Sequence, residues 1–318
     1  MRRNLMVTLA ISAEGPGVWE SWRNAFREVA PGIRTVSWFD PAFDPSKADY
    51  ALVWDPAPGE MAKMQHMRAI FCSGAGVNHL VGRKDFPKDV MLVRMGGDQT
   101  AVLMADYVLW AIVSLLRDAR TWALQQEKKI WRRNLEYRTS AETTIGILGY
   151  GNLGSAVAQR LSKAGFQVLA WCRRVRPIED VPLYFGEDGK VDFLGKTDIL
   201  VNLLPSTQQT RGLIDAEFLS HLKPGGSLIN VGRGEQVVAE DLISALDSGR
   251  MRGAVLDVFA QEPLPQDAVF WEHPKVFVTP HVAAEASCKM QAAYVAGAIG
   301  EIEAGKTPAL TYHPDWGY

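Results

Sequence analysis

The chain has 318 residues, 47% hydrophobic and 22% charged, so it can bury a large core and divide into two domains. Its formal net charge of −2 argues against nucleic acid or an anionic membrane as the main partner. Cys72, Cys172 and Cys288 are far apart and show no metal-ligand spacing. We therefore expect reduced thiols, no metal and a cytoplasmic location.

The amino-terminal third predicts a small α/β domain. Leu5–Ile11 predicts a first strand rather than a signal segment, because acidic Glu14 follows without a cleavage site. A helix is predicted over Val18–Val29. Further strands are predicted at Thr35–Phe39, Tyr50–Trp54 and Ala69–Cys72. The turn Ser73–His79 is rich in glycine and is equally consistent with an anion-binding turn and with a plain tight turn.

A long apolar helix is predicted from about Thr100 to Asp118. It has too many apolar residues for one stripe, so we expect burial on several sides, in a core or against another subunit. No apolar stretch is expected to reach the length that crosses a membrane. The next segment, 121–139, carries aromatic residues among many charges, a mixture common at contact surfaces: Trp122, Trp131 and Tyr137. We expect this segment to be an arm that docks on a partner subunit.

The stretch from Thr144 to Arg174 has the pattern of a dinucleotide-binding unit. An apolar strand, Thr144–Leu148, enters Gly149-Tyr150-Gly151-Asn152-Leu153-Gly154, and a helix and a second strand follow. In such a unit Gly149 permits the tight turn, Gly151 lets the backbone approach a pyrophosphate, and Gly154 lets helix pack close on strand. The amides that open the helix, at Asn152 and Leu153, then face the diphosphate with help from the helix dipole.

The end of the second strand predicts which dinucleotide is bound. An NAD site places an acidic residue here to bond the ribose 2′-hydroxyl. This chain has Cys172, followed by Arg173 and Arg174, whose guanidinium groups can hold a 2′-phosphate. A solvated basic turn would explain the arginines but not the missing acid. The sequence therefore favours NADP(H) over NAD(H).

Three residues that could take part in catalysis follow predicted strands in the second half of the chain. Four strands are predicted there: Ile199–Leu204, Ser227–Val231, Ala254–Val258 and Val276–Thr279. Arg233, Glu262 and His281 each lie just past one of the last three. The carboxyl ends of parallel strands form the ligand crevice of an open α/β sheet. Each residue alone could be an ordinary loop residue, but three together beside a cofactor motif favour a functional site.

These residue types suit hydride transfer from a nicotinamide to a carbonyl. Reduction builds negative charge on the carbonyl oxygen, which needs a proton and an electrostatic partner. His281 can supply the proton near neutral pH, and Glu262 would favour the imidazolium and orient its ring. Arg233 can bind a substrate carboxylate while polarising the neighbouring carbonyl. The chemistry describes a reductase of 2-oxo acids.

The motifs together resemble the D-isomer-specific 2-hydroxyacid dehydrogenases, most closely the bacterial glyoxylate/hydroxypyruvate reductase branch, over nearly the whole chain. The resemblance is carried by YALVWDP (50–56), GAGVN (74–78), TIGILGYGNLG (144–154), NLLPST (202–207), NVGRGEQVV (230–238), LDVFAQEPLP (256–265) and TPHVAA (279–284). It implies an α/β protein of two Rossmann-like domains with doubly wound parallel sheets. A flavodoxin-like substrate domain would comprise 1–98 and 287–318, and a dinucleotide-binding domain would comprise 99–286.

The resemblance also implies roles for particular residues. It makes Arg233, Glu262 and His281 a catalytic trio. Substrate contacts would come from Arg233, the backbone amides of Ala75 and Gly76, and Trp54 at the pocket border. Further cofactor contacts are implied at Leu204, Pro205, Thr210 and Asp257. A homodimer built on the long helix and the arm is implied as well.

The leading hypothesis is NADPH-dependent reduction of small 2-oxo acids, glyoxylate to glycolate and hydroxypyruvate to D-glycerate, with His281 as proton donor. One alternative is a non-catalytic, nucleotide-sensing regulator on the same fold, since fold does not fix function. Another is an NAD-dependent dehydrogenase of a different D-2-hydroxy acid, such as phosphoglycerate. Cys172 and the two arginines after it disfavour that cofactor.

Overall fold

The computed structural model describes residues 7–133, 138–173 and 181–314. The start of the predicted first strand, Tyr137, Arg174 and the end of the tail lie outside the described residues. The chain divides into two compact units: unit 1, Met1–Gln99 with Ala286–Tyr318, and unit 2, Thr100–Glu285. Each unit has its own parallel sheet, which confirms the predicted fold class.

The sheet of unit 1 has the strand order β2-β1-β3-β4-β5, and every neighbouring pair is parallel. Its strands are β1 Thr8–Ile11, β2 Arg34–Ser37, β3 Tyr50–Val53, β4 Ala69–Cys72 and β5 Met91–Val93. This order is that of flavodoxin-like folds. Strands β3 and β4 are buried at every residue, as expected for apolar strands covered on both faces.

The sheet of unit 2 has the order β12-β11-β10-β9-β6-β7-β8, again parallel throughout. Its strands are β6 Thr144–Leu148, β7 Gln167–Trp171, β8 Leu183–Tyr184, β9 Ile199–Asn202, β10 Gly226–Asn230, β11 Met251–Leu256 and β12 Val276–Val278. The chain winds one way from β6 to β8 and the other way from β9 onward. The switch point therefore lies between β6 and β9, where ligands bind in such sheets.

The helices cover both sheets. They are α1 Trp19–Val29, α2 Asn78–Val81, α3 Asp98–Leu116, α4 Ala119–Glu127, α5 Asn152–Lys163, α6 Gly186–Lys196, α7 Ala216–Ser220, α8 Ala239–Asp247 and α9 Cys288–Glu303. Helix α9 returns to unit 1, where Val295 and Ile299 share a core with Trp22 and Phe26 of α1. Its start is capped by Ser287, whose side chain accepts from the amide of Met290.

Helix α3 shows that one prediction was wrong, namely that no apolar stretch reaches the length that crosses a membrane. It has 19 residues and a mean hydropathy of 1.6 over its apolar window, so it is long and apolar enough to cross a membrane. This is weak evidence for a span, because the core helix of a soluble protein passes the same test and half of the window is buried inside the protein. One face packs on the sheet of unit 2 through Met104, Val108 and Ile112.

The structure also differs from the prediction at short elements and strand ends. Strand β9 ends at Asn202, two residues early, because the Asn202 side chain accepts a hydrogen bond from the amide of Leu204 and turns the chain out of the sheet. Strand β11 begins at Met251, three residues early, across a register shift opposite Gly226 and Ser227. Strands β5 and β8, with three and two residues, were not predicted.

Candidate active site

The glycine-rich loop after β6 has the geometry that a diphosphate requires. Gly149 has a φ of 104°, in the left-handed region that favours glycine, and a side chain there would press on the backbone of Leu203. A Cβ at Gly154 would lie 2.1 Å from the carbonyl oxygen of Gly149, so only glycine allows α5 this close to the strand. A Cβ at Gly151 would meet nothing within 4 Å. The open space lies beside Gly151, where the pattern places a pyrophosphate.

The start of α5 supplies donors to this space. The first hydrogen bond of the helix runs from the amide of Ser155 to the carbonyl of Gly151, at 2.9 Å. The amides of Asn152, Leu153 and Gly154 precede it and point out of the helix end, as the first amides of any α-helix do. The residues present therefore fit the diphosphate of a dinucleotide.

The end of β7 keeps the features predicted for a 2′-phosphate site. Cys172 is buried where an NAD site would carry an acid. Arg173 follows, and its Nη1 donates to Oε1 of Gln209 at 3.2 Å in an exposed position. The guanidinium is thus held over the loop that follows β9, and Arg174 lies outside the described residues.

The loop after β9 is closed on itself by a threonine. Thr210 Oγ1 donates to the carbonyl of Pro205 at 2.8 Å and accepts from the amide of Thr207 at 2.9 Å. The amide of Leu203 donates to the carbonyl of Leu148 at the end of β6. The predicted cofactor residues Leu204, Pro205 and Thr210 therefore lie in one ordered loop beside the glycine-rich turn.

A buried amide network connects this loop to Arg233, and no sequence pattern predicted it. Gln236 Oε1 accepts from Asn202 Nδ2 at 2.7 Å and from the backbone amide of Arg233 at 2.8 Å. Its Nε2 donates to the carbonyls of Leu204 and Pro205 at 3.2 and 3.0 Å. All four hydrogen-bonding positions of the Gln236 amide are filled, and the side chain is fully buried. The network fixes the backbone of Arg233 relative to the loop after β9.

The same network contains two asparagines at strand ends. Asn202 Nδ2 also donates to Asn230 Oδ1 at 2.9 Å, and Asn230 Nδ2 donates to the carbonyl of Arg233 at 3.2 Å. Both asparagines end strands in which every residue is buried. A polar residue at the last position of a buried run was the signal in the sequence, because buried amides need partners.

Glu262 and His281 form a direct pair. His281 Nδ1 donates to Glu262 Oε2 at 2.7 Å, while Glu262 Oε1 accepts from the amide of Phe259 at 2.8 Å. Burial by itself would raise the pKa of the Glu262 carboxyl. The hydrogen bonds from His281 and Phe259, with the charges of His281 and Arg233, outweigh burial and hold that pKa below its usual range. Glu262 is therefore ionised near neutral pH, and Nε2 is the ring nitrogen left for a substrate.

The loops of Arg233 and Glu262 are in close contact. A Cβ at Gly234 would lie 1.9 Å from the carbonyl carbon of Phe259, so glycine alone permits this approach. The strands before Arg233, Glu262 and His281 are neighbours in the sheet, β10, β11 and β12. The structure thus brings the three residues to one edge of unit 2.

Asp257, predicted as a cofactor contact, is buried and hydrogen-bonded to the loop that follows β12. It is 1% exposed, and its carboxylate accepts from the amides of Val282 and Ala283, each at 2.9 Å. Its backbone carbonyl accepts from the amide of His281 at 2.9 Å. The Asp257 side chain therefore fixes the backbone of the loop that contains His281. A contact between Asp257 and the cofactor stays a prediction.

In unit 1 the predicted substrate residues also form a group. Trp54 follows β3, and its indole lies over Gly74, where a Cβ would be 2.3 Å from the ring. His79 contacts the indole with ring centroids 4.3 Å apart, and its Nε2 lies 2.8 Å from the Trp54 carbonyl. Trp54 is thereby fixed against the turn that contains Ala75 and Gly76.

The carbonyl groups of that turn are tied down within unit 1. Gly74 O accepts from the amide of Met95 at 3.0 Å, and Gly76 O accepts from the thiol of Cys72. Among the hydrogen bonds between described residues, the amides of Ala75 and Gly76 donate to no protein group. Two adjacent amides with that arrangement can bind a carboxylate.

Comparison with known proteins identifies a family and close relatives. Residues 109–283 match the family model for the D-isomer specific 2-hydroxyacid dehydrogenase, NAD binding domain. A glyoxylate/hydroxypyruvate reductase A from Serratia proteamaculans is 37% identical over 295 residues, which cover 91% of this chain and 93% of that protein.

Two solved structures are similar over nearly their whole length. A D-isomer specific 2-hydroxyacid dehydrogenase from Xanthobacter autotrophicus, in complex with NADPH and MES, has a TM-score of 0.90 at 36% identity, covering 98% of this chain and 99% of that one. An NADPH-dependent glyoxylate/hydroxypyruvate reductase from Sinorhizobium meliloti, in complex with NADP and sulfate, has a TM-score of 0.90 at 34% identity, covering 98% and 100%.

Proposed function

The chain belongs to the D-isomer specific 2-hydroxyacid dehydrogenase family, and we propose that it is an NADPH-dependent reductase of small 2-oxo acids. Glyoxylate and hydroxypyruvate are the proposed substrates, with glycolate and D-glycerate as products. The observation that carries the proposal is the 2.7 Å hydrogen bond between His281 and Glu262, on the same sheet as the glycine-rich dinucleotide loop. The similar proteins solved with NADPH or NADP support this choice of cofactor.

The substrate carboxylate is proposed to accept hydrogen bonds from backbone amides and from an arginine. The amides of Ala75 and Gly76 offer two adjacent donors, and the planar fork of Arg233 offers a cation. The Arg233 backbone is fixed by its hydrogen bond to Gln236, which limits the positions that the guanidinium can reach. Charge-assisted hydrogen bonds of this kind orient the 2-oxo group as well as binding the acid.

Proton transfer is assigned to His281. Its Nδ1 is occupied by Glu262, so a protonated ring presents Nε2–H to the carbonyl oxygen. The ionised Glu262 stabilises the imidazolium and fixes its orientation. Arg233 stabilises the negative charge that develops on the oxygen before the proton arrives. Trp54, packed on Gly74, is proposed as a further substrate contact.

The cofactor would supply a hydride to the carbonyl carbon. The chain's own residues would hold its diphosphate at the start of α5 and its 2′-phosphate at Arg173 and Arg174. The ordered loop of Leu204, Pro205 and Thr210 would lie along its middle. Since β7 ends in Cys172 rather than an acid, nothing at that position repels a phosphate.

The proposal extends to assembly and location. A second copy of the chain is the proposed partner, docked on the face of α3 that exposes Val102, Trp110 and Val113. These residues recur at helical spacing, and such a stripe is normally covered. A cytoplasmic location is supported by Cys72, Cys172 and Cys288, which are thiols rather than disulfides.

The test is a panel of 2-oxo acids assayed with NADPH and with NADH by the loss of cofactor absorbance. The proposal expects glyoxylate or hydroxypyruvate to give the highest kcat/KM, with NADPH preferred. Turnover with NADH and a phosphorylated acid alone would favour a different dehydrogenase. Tight NADPH binding with no turnover of any acid would favour a nucleotide-sensing regulator.

A further inference from the structure

A chain of three hydroxyl and carboxylate groups runs from helix α3 to the loop of His281. Tyr107 Oη lies 2.5 Å from Thr279 Oγ1, and Thr279 Oγ1 donates to Asp257 Oδ1 at 2.6 Å. A threonine hydroxyl has one proton, which here points to the carboxylate. The proton between Tyr107 and Thr279 must therefore come from the tyrosine. The order of donation is fixed: Tyr107 to Thr279 to Asp257.

Asp257 is the centre of the loop that follows β12. Its carboxylate accepts from the amides of Val282 and Ala283 in addition to Thr279, and its backbone carbonyl accepts from the amide of His281. Residues 279–283 are therefore attached to Asp257 at four points. His281 lies within this span with a φ of 58°, a left-handed conformation that a non-glycine residue keeps only where its surroundings impose it.

Tyr107 is held for this contact by its ring as well as by its hydroxyl. Its ring centroid lies 5.3 Å from that of Trp110, which in turn meets Phe277 edge-on at 5.8 Å. Phe277 is in β12, two residues before Thr279. Burial raises the pKa of the Tyr107 phenol far above its usual range, so the hydroxyl stays a donor at any working pH.

We propose that Tyr107 is a positioning residue for the proton donor His281, acting through Thr279 and Asp257. The proposal rests on the proposed reductase function. The neighbouring buried residues of α3, such as Met104 and Val108, pack only through apolar groups. Through its hydroxyl, Tyr107 links helix α3 to the loop of His281 and fixes the backbone of that loop.

The test compares Tyr107→Phe with Tyr184→Phe, which removes another phenol hydroxyl of unit 2, one that accepts from Lys196 at 3.1 Å. Tyr107→Phe should lower kcat about threefold to tenfold, the effect of one lost neutral hydrogen bond, and leave the Kd for NADPH within about twofold. The low-pH limb of the reduction profile should move to higher pH, because a looser loop weakens the hydrogen bond from His281 that holds the pKa of Glu262 low. The control should change neither kcat nor the profile.

Two further measurements separate positioning from packing. Amide hydrogen exchange at Val282 and Ala283 should be faster in Tyr107→Phe, by a factor similar to the loss of kcat. Thr279→Val should lose activity and Thr279→Ser should restore it, since serine keeps the hydroxyl. In the Thr279→Val background, the Tyr107 substitution should add little.

Unchanged kcat, pH profile and exchange in Tyr107→Phe would overturn the proposal. Lower global stability with normal exchange at Val282 and Ala283 would also overturn it, because it would assign Tyr107 to packing. If the parent protein reduces no 2-oxo acid, the proposed function fails instead. The exchange measurement then still decides whether Tyr107 holds the loop.

Discussion

His281 depends on its surroundings for both its backbone and its ring. The left-handed backbone is imposed by Asp257, and the ring is oriented by Glu262. Removing the imidazole in His281→Ala should lower kcat roughly 10²–10⁴-fold, the usual contribution of a general acid. The Kd for NADPH, measured by fluorescence titration, should change little. A variant with nearly normal kcat would exclude His281 as the proton donor.

Glu262 should set the pH range over which His281 is active. Its own pKa is held below the usual range, so it stays charged across the neutral range and loses that charge only as the pH falls through the lowered pKa. Glu262→Gln replaces the charged acceptor of the His281 ring with a neutral amide. In this variant kcat/KM at neutral pH should fall, and the low-pH decline that belongs to Glu262 should disappear from the kcat/KM profile. Glu272→Gln, at an exposed position of unit 2, is the control and should leave the profile in place.

Cofactor selection should depend on the basic pair after Cys172. Replacing both Arg173 and Arg174 with Ser should raise the KM for NADPH about tenfold or more, because each charge-assisted bond to a phosphate contributes about 1.5–3 kcal/mol. The KM for NADH should hardly change, since NADH has no 2′-phosphate. Equal effects on both cofactors would show that the arginines act on something other than that phosphate.

At the scale of elements, alanine substitutions at two glycines of the dinucleotide loop should have different effects, one on stability and the other on NADPH binding. Gly154→Ala gains about 0.5–1 kcal/mol in helix propensity. It also forces a Cβ to within 2.1 Å of the Gly149 carbonyl oxygen, and such overpacking costs about 1–3 kcal/mol or more. The clash outweighs the gain, so this variant should unfold at a lower temperature. Gly151→Ala meets no atom and has a φ of −93°, so it should keep its Tm but lose NADPH binding.

Thermal unfolding and NADPH titration on both variants measure this contrast. Gly297→Ala in α9 is the matched control, because its Cβ also meets nothing within 4 Å and lies in a helix. It should raise the Tm slightly and leave NADPH binding alone. Normal NADPH affinity in Gly151→Ala would mean that the diphosphate does not approach this loop.

Local sequence patterns predicted the elements that bury a continuous apolar run or carry a glycine motif. Strands β4 and β6 were predicted with the bounds that the structure has, because their apolar runs are bounded by turn residues. The pair of Glu262 and His281 was predictable because both follow neighbouring strands. Helix α6, with glycines at 186, 189 and 195, has weak helix propensity and was missed.

The amide network could not be predicted, because its members are remote in sequence. Gln236 lies 34 positions from Asn202, and Asn202 lies 28 positions from Asn230. Only the parallel pairing of β9 with β10 brings them together. The contact of Tyr107 with Thr279 spans 172 positions and depends on where α3 crosses the sheet of unit 2. Such contacts are set by packing rather than by local pattern.

At the scale of the whole molecule, apolar surface among the described residues is concentrated on α3 and on the arm, within its described residues 121–133. Helix α3 exposes Val102, Trp110 and Val113, and the arm exposes Trp122 and, at 96%, Trp131. A tryptophan with that exposure contributes almost nothing to the fold of its own chain. Large exposed aromatic residues next to an apolar helix face are typical of a surface that is covered by a partner.

Trp131→Ala should therefore weaken self-association without destabilising the chain. In a two-fold dimer, each copy would cover the other's α3 face and reach across it with the arm. A desolvated Trp anchor is worth about 2 kcal/mol or more, so the dimer Kd should rise about thirtyfold or more, with the Tm of dilute protein unchanged. Sedimentation velocity across a concentration series measures the Kd. Trp271→Ala removes another exposed tryptophan outside α3 and the arm, and it should leave the dimer intact. A parent protein that sediments as a monomer at micromolar concentration would exclude the dimer and with it the role of the arm.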